Sequence, residues 1–309
     1  MMELLANAAS LDEVERFFAA GADAMIVGHE HFALRVPASL TLDEIQEAQT
    51  IAKRYDRKLY VAMNRIIHQD HLHEVQHYLE QLLALCVDAI QGGDPAIFVM
   101  LEQLGLDPKA MTLHWHSETT MTSYQTASFW ANKGAKRIVL SGELSLEEIR
   151  TIKSQLNAEI QLLIQGPTCL FHSRRPLVES YLRHQSTFAD KTETSVSRRL
   201  FVTESKRVAQ KYPIFEDEDG THIMSYDDVC MLDHLPELLT TQPESLFIET
   251  LLHTTSYNET MIRLYRRAID RLTLQNTDAD LSSLREEANA IELVDRPFST
   301  GFYYKEQIY

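Results

Sequence analysis

The chain has 309 residues, with 45 acidic and 29 basic side chains and a formal charge of −16. Its 44% apolar and 24% charged residues match ordinary globular composition and exclude wholesale disorder. Three cysteines over this length exclude a disulfide scaffold, and no window approaches the ~20 apolar residues of a membrane helix.

Met1-Met2-Glu3-Leu4-Leu5 has no basic region ahead of an apolar run, so the expectation is a cytoplasmic protein with reduced thiols. The acidic balance weighs against nucleic-acid binding by this chain alone, because phosphate contacts need a cationic surface. A local basic face or a basic partner would reverse that.

Along the first three-fifths, a short apolar run is repeatedly followed by an amphipathic segment. Glu3 to Ala8 is the first run; Ser10 caps a helix over Leu11 to Ala20, and Gly21 stops it. Ala22 to Val27 follows, then Thr41-Leu42-Asp43-Glu44, a capping box opening a helix to Tyr55. Leu59 to Ile66 and Leu72 to Cys86 form the third unit, Asp88 to Gln91 and Pro95 to Leu104 the fourth. Met111 to His116 and Tyr124 to Asn132 make the fifth. Lys136 to Leu140 precedes a second capping box at Ser145-Leu146-Glu147-Glu148, and Ile160 to Gln165 precedes a helix from Pro176 to Arg183. Ser245 to Leu251 and Tyr257 to Leu272 complete the eighth unit. Strands alternating with helices imply parallel pairing, and eight such units close into a (β/α)8 TIM-type barrel.

Two regions interrupt this single domain. His184 to Val229 is polar and hairpin-like, with Glu216-Asp217-Glu218-Asp219-Gly220 as the turn between strands around Phe201 and His222. The tail from about 273 to 309 ends in an aromatic cluster, Phe298, Phe302, Tyr303, Tyr304 and Tyr309, and is expected to pack back on the barrel.

In a barrel the functional face lies at the carboxyl ends of the strands. Asn7, His29, Glu30, His31, Arg35, Asn64, His68, Gln91, Asp94, His114, His116, Glu118, Ser141, Glu143, Gln165, Cys169 and His253 fall there. His114-x-His116 points both imidazoles to one side of a strand, with Glu118 a third ligand, and His29-x-His31 is similar; without a second compact ligand pair no metal is expected. Glu143 is placed to act as a general base or an arginine partner. Arg35 is suited to hold a carboxylate bidentately, with Asn64, His114 and Glu143 completing a catalytic rim. His68, Asp94 and Gln165 are the further substrate-binding candidates. Cys86 reads as a buried small hydrophobe.

Several segments together resemble the collagenase-like peptidases, peptidase family U32. They are Glu3-Leu4-Leu5-Ala6, Gly21-Ala22-Asp23-Ala24 with Phe32-Ala33-Leu34-Arg35, Val61-Ala62-Met63-Asn64, Gly142-Glu143-Leu144-Ser145, Gly166-Pro167-Thr168-Cys169, Asp228-Val229-Cys230-Met231-Leu232-Asp233 and Phe298-Ser299-Thr300-Gly301-Phe302. The resemblance implies a barrel. It also implies either peptidase activity or a role like that of family members that work as paralogous pairs in oxygen-independent hydroxylation, or of others that make 5-hydroxyuridine at the tRNA wobble position using prephenate. A chain of 309 residues is similar to the shorter partner of such a pair. The family pattern has a glutamate at Gln161, a histidine at Gln165, a cysteine at Pro176 and another in the polar insertion. Cys169 and Cys230 are therefore expected as remnants of a four-cysteine [4Fe-4S] site. The cluster belongs on a heterodimeric paralogue, through which tRNA is reached, and this chain binds none by itself. A non-catalytic scaffold subunit is the remaining alternative.

Overall fold

The computed structural model describes residues 2–106, 112–185, 194–196, 199–275, 280–292 and 296–305. Seven buried apolar runs lie side by side, each parallel to the next. They are β1 (Glu3–Asn7), β2 (Ala24–Gly28), β3 (Lys58–Met63), β4 (Ala89–Gly92), β5 (Leu113–Trp115), β6 (Ala135–Val139) and β7 (Glu159–Gly166). The chain then leaves this sheet for four antiparallel strands, β8 (Cys169–Ser173), β9 (Phe201–Glu204), β10 (Arg207–Asp217) and β11 (Gly220–Met224), in the spatial order 8-11-10-9. It returns through β12 (Asp228–Cys230), antiparallel to β7, and through β13 (Ser245–Ile248), which pairs in parallel with both β7 and β1. That double pairing closes a ring of eight parallel strands, as the alternation of sequence units predicts. A last short strand, β14 (Phe298–Ser299), adds to β12 outside the ring.

The barrel helices sit between successive strands: α1 (Leu11–Ala20), α2 (Leu42–Arg54), α3 (Leu72–Leu85), α4 (Ala96–Gln103), α5 (Tyr124–Lys133) and α6 (Leu146–Gln155). Their ends follow the cap chemistry read from sequence. Ser10 caps α1, Gly21 ends it with φ of 110°, and complete capping boxes open α2 and α6.

The seventh unit differs from expectation. The helix around Pro176 to Arg183 exists as α7 (Leu177–His184), but it buries no residue in the barrel. Its first backbone amides are held by Glu216 of β10 and Thr221 of β11, so it belongs to the excursion. The helix between β7 and β13 is instead α8 (Leu235–Leu239), one short turn anchored by buried Leu235 and Leu238. The excursion therefore begins at Cys169 rather than near His184. Its tight turn is where the acidic run placed it, with Asp217 opposite Gly220. The eighth unit ends with α9 (Thr255–Gln275), and α10 (Ser282–Asn289) packs against α9. In the tail, Tyr303 is buried and donates its hydroxyl to the Leu163 carbonyl at 2.5 Å. Met111 and Tyr309 lie outside the described residues.

Because side chains alternate across a strand, every second barrel residue points inward. At the amino-terminal end these are polar. Arg137 is ion-paired to Glu3 and to Glu159 (2.8 Å), and Tyr60 and Ser245 also bond Glu3 (2.5 and 2.9 Å). A middle layer of Leu5, Ile26, Ala62 and Phe247 seals the barrel. Above it the inward positions turn polar again and open to the surface.

Candidate active site

The open end holds a cavity of about 200 Å³ lined by Asn7, Arg35, Asn64, Gln91, His116, Glu118, Ser141, Glu143, Gln161, Cys169 and Glu249, with Phe302 on one wall. Each of β1, β3, β4 and β13 contributes its uppermost inward residue or the one just beyond it, and β7 contributes Gln161 from lower in the strand. The remaining groups come from the loops after β2, β5 and β6.

At its centre Arg35, 10% exposed, is ion-paired through Nη2 to Glu118. Both residues have positive φ, 51° and 55°, a conformation unusual outside glycine. Asn64 braces the pair: its Oδ1 accepts the Leu34 amide (3.0 Å) and its Nδ2 donates to Glu118 (3.2 Å). Burial favours the neutral Glu118 carboxyl, but His116, 3.8 Å away, and Arg35 outweigh it and hold the group below the usual carboxylate range. Burial also drives the His116 imidazole down, toward the neutral form. Opposite, Glu249 receives Asn7 Nδ2 at 2.6 Å and the Leu251 amide at 3.1 Å, yet burial still raises its carboxyl.

Three buried polar atoms in this cavity have no hydrogen-bond partner: Arg35 Nη1, His116 Nδ1 and Gln161 Oε1. A buried guanidinium N–H without an acceptor is costly unless a ligand supplies one. The arrangement fits a small anion carrying its own hydrogen-bond donor. Arg35 offers a free N–H, the amides orient, and Glu249 sits where a proton is readily held.

The residues expected at the site separate into two groups. Arg35, Asn64 and Glu143 line the cavity. His114 does not: it is buried at the opposite end beside Arg137, its ring edge-on to Tyr60 at 4.6 Å, and burial with three nearby cations keeps it neutral. His68 faces Arg174 in a separate surface pocket. Asp94 is structural, accepting the Ile67 and Ala96 amides at 2.9 and 2.8 Å at the start of α4. Gln165 faces away from the barrel, bonded to Tyr257 (3.3 Å) and Tyr265 (3.4 Å) of α9. A register shift in β7 explains it: Phe247 pairs with Leu163 but Ile248 with Gln165, and one extra residue flips the side-chain alternation. His116 takes the place foreseen for His114. Glu249 was hidden inside an apolar strand reading, although Ser245, Phe247 and Glu249 share one parity.

The thiols do not converge. Cys169 lines the mouth, its Sγ 3.4 Å from the Phe171 carbonyl, and burial raises it. Cys230 opens on another cavity beside α10 and is pushed up to about 11 by burial. Cys86 is exposed at the end of α3 rather than buried. This donor set does not fit a four-thiolate cluster. Among the described residues no imidazole hydrogen-bonds Cys169, and no helix is long and apolar enough to cross a membrane.

Comparison with known proteins extends these observations. Over 310 aligned residues the chain is 37% identical to tRNA hydroxylation protein P2 of Bacillus subtilis, covering 99% of both chains. It is 28% identical to tRNA hydroxylation protein P1 of the same organism, over 87% of this chain and 63% of that one. Among solved structures, the U32 peptidase Mk0906 superposes with a TM-score of 0.50 at 18% identity, over 81% of this chain and 92% of that one, a likeness of fold. The model of peptidase family U32 matches residues 9–308, and the chain belongs to that family.

Proposed function

We propose that this protein is a subunit of a tRNA-hydroxylating system that makes 5-hydroxyuridine at the wobble position. It acts beside a longer paralogue that carries the [4Fe-4S] cluster. The observation that carries this reading is the end-to-end likeness to protein P2, alongside likeness to P1. The mouth supports it: a guanidinium with one unsatisfied N–H, set among amides, suits a small carboxylate such as prephenate. The surroundings of Cys169 do not favour the peptidase reading, since a cysteine nucleophile needs a lowered thiol and a base in contact.

Wobble-uridine hydroxylation is measured by mass spectrometry of digested tRNA in a strain relying on this protein. Deleting the gene removes the modification, and the wild-type copy restores it. Arg35→Lys keeps one cation but loses the fork, so it leaves the melting temperature nearly unchanged and fails to restore the modification. Normal modified tRNA in the deletion strain overturns the proposed system. Normal levels with a stably folded Arg35→Lys protein remove Arg35 from the site.

A further inference from the structure

Five of the thirteen histidines, His31, His68, His71, His73 and His77, lie in or near one patch on the outer flank of β2 and α3, apart from the barrel mouth. Two of them converge there with a carboxylate. Glu74 Oε2 is 3.0 Å from His31 Nε2 and 3.1 Å from His71 Nδ1, and the three donor atoms all lie within 4.8 Å of one another. His71 and Glu74 are three residues apart at the start of α3, so one helical turn puts both on one face. His31 arrives from the loop after β2.

We propose that His31, His71 and Glu74 bind a divalent transition-metal ion of the zinc class, with water completing the coordination. Donors about 2.0–2.1 Å from a tetrahedral zinc are about 3.3 Å from each other. The two carboxylate–imidazole separations, 3.0 and 3.1 Å, therefore need to widen by only a few tenths of an ångström, and the two imidazole nitrogens lie within 4.8 Å of each other. Two neutral imidazoles and one carboxylate are a borderline-soft set that suits zinc, cobalt or nickel over magnesium or calcium. The other nitrogen of His31 faces Glu218 at 3.9 Å, on the tight turn of the excursion. That carboxylate adds negative charge beside the site, on the side of the ring away from Nε2. The ion would pin the loop after β2 to α3, and that same loop carries Arg35 into the mouth. The proposal stands independently of the tRNA reading.

The test uses the full-length protein stripped with a chelator and titrated with zinc chloride by calorimetry, then with cobalt(II) by visible absorption. One equivalent is expected, with cobalt d–d bands and no thiolate charge-transfer band. Binding survives replacement of all three cysteines by serine and raises the melting temperature. His71→Ala and Glu74→Gln each weaken zinc binding at least 100-fold and cancel the thermal shift, while His77→Ala changes neither. All three variants keep the wild-type circular dichroism, because the replaced side chains are at the surface. No zinc binding by the wild type, or equal binding by the His71→Ala/Glu74→Gln double variant, overturns the proposal.

Discussion

At the scale of single residues, the three thiols are in three different environments, and their reactivity reports them. A thiolate, not a thiol, attacks a disulfide reagent. Burial pushes the Cys230 thiol up to about 11, so it stays protonated at neutral pH, and Tyr265 Oη lies on its sulfur at 3.8 Å. Cys86 is exposed, and Cys169 and Cys230 are both intermediate. Timed labelling with a disulfide reagent, read by peptide mass, should modify Cys86 first, Cys169 next, and Cys230 last, because its thiol is raised the most. Labelling of Cys230 ahead of Cys169 contradicts the raised thiol assigned to it. Residue identity showed part of the cavity lining in advance: Arg35, Asn64 and Glu143 were legible because strand ends in a barrel converge. Depth was not legible. His114 and His116 share a parity, and the stagger of neighbouring strands decides that one lies level with Arg137 while the other reaches the mouth.

At the scale of elements, apolar runs and caps carried most of the fold, since Ser10, Thr41 and Ser145 announce their helices by side-chain chemistry alone. Two features had no such announcement. An amphipathic pattern says that a helix has an apolar face but not what covers it, so α7 read as a barrel helix. The register shift in β7 depends on pairing with β13, about 80 residues later, and turned Gln165 outward. The end of that strand is also where backbone geometry is tightest. Gly166 has φ of 104°, and a Cβ there would stand 2.1 Å from the Glu249 carbonyl oxygen. Gly166→Ala thus meets both a left-handed conformation and a backbone clash, and the conformational part alone costs about 1–3 kcal/mol. Urea unfolding should show a loss of at least that size. A change below about 0.5 kcal/mol would mean that the two strands do not approach as described.

At the scale of the whole molecule, charge is unevenly distributed. The chain carries −16, yet residues 169 to 215 contain nine Lys or Arg against four Asp or Glu. The β9–β10 hairpin is exposed from Phe201 through Ala209, with Lys206 and Arg207 near its turn and Lys211 over the Phe201 ring at 5.0 Å. Cations interleaved with an aromatic ring suit a nucleic-acid backbone and an unstacked base. If tRNA touches this chain, this arm is the place. The triple variant Lys206→Glu, Arg207→Glu, Lys211→Glu should fold normally, bind tRNA at least tenfold more weakly, and flatten the salt dependence by about two to three phosphate contacts. Unchanged affinity across a salt series assigns RNA contact to the partner.

The closure of the ring has a further consequence during synthesis. Asn7 and Glu249 touch across a sequence separation of 242, and β1 pairs with a strand made long after it. A nascent chain that has not yet released Ser245–Ile248 from the ribosome leaves β1 and β7 as raw edges, with rows of unpaired amides and carbonyls. Such edges recruit chaperones or other chains. Glu249 emerges directly behind that strand and Phe302 later still, so ligand capture at the mouth also reports that translation has passed both.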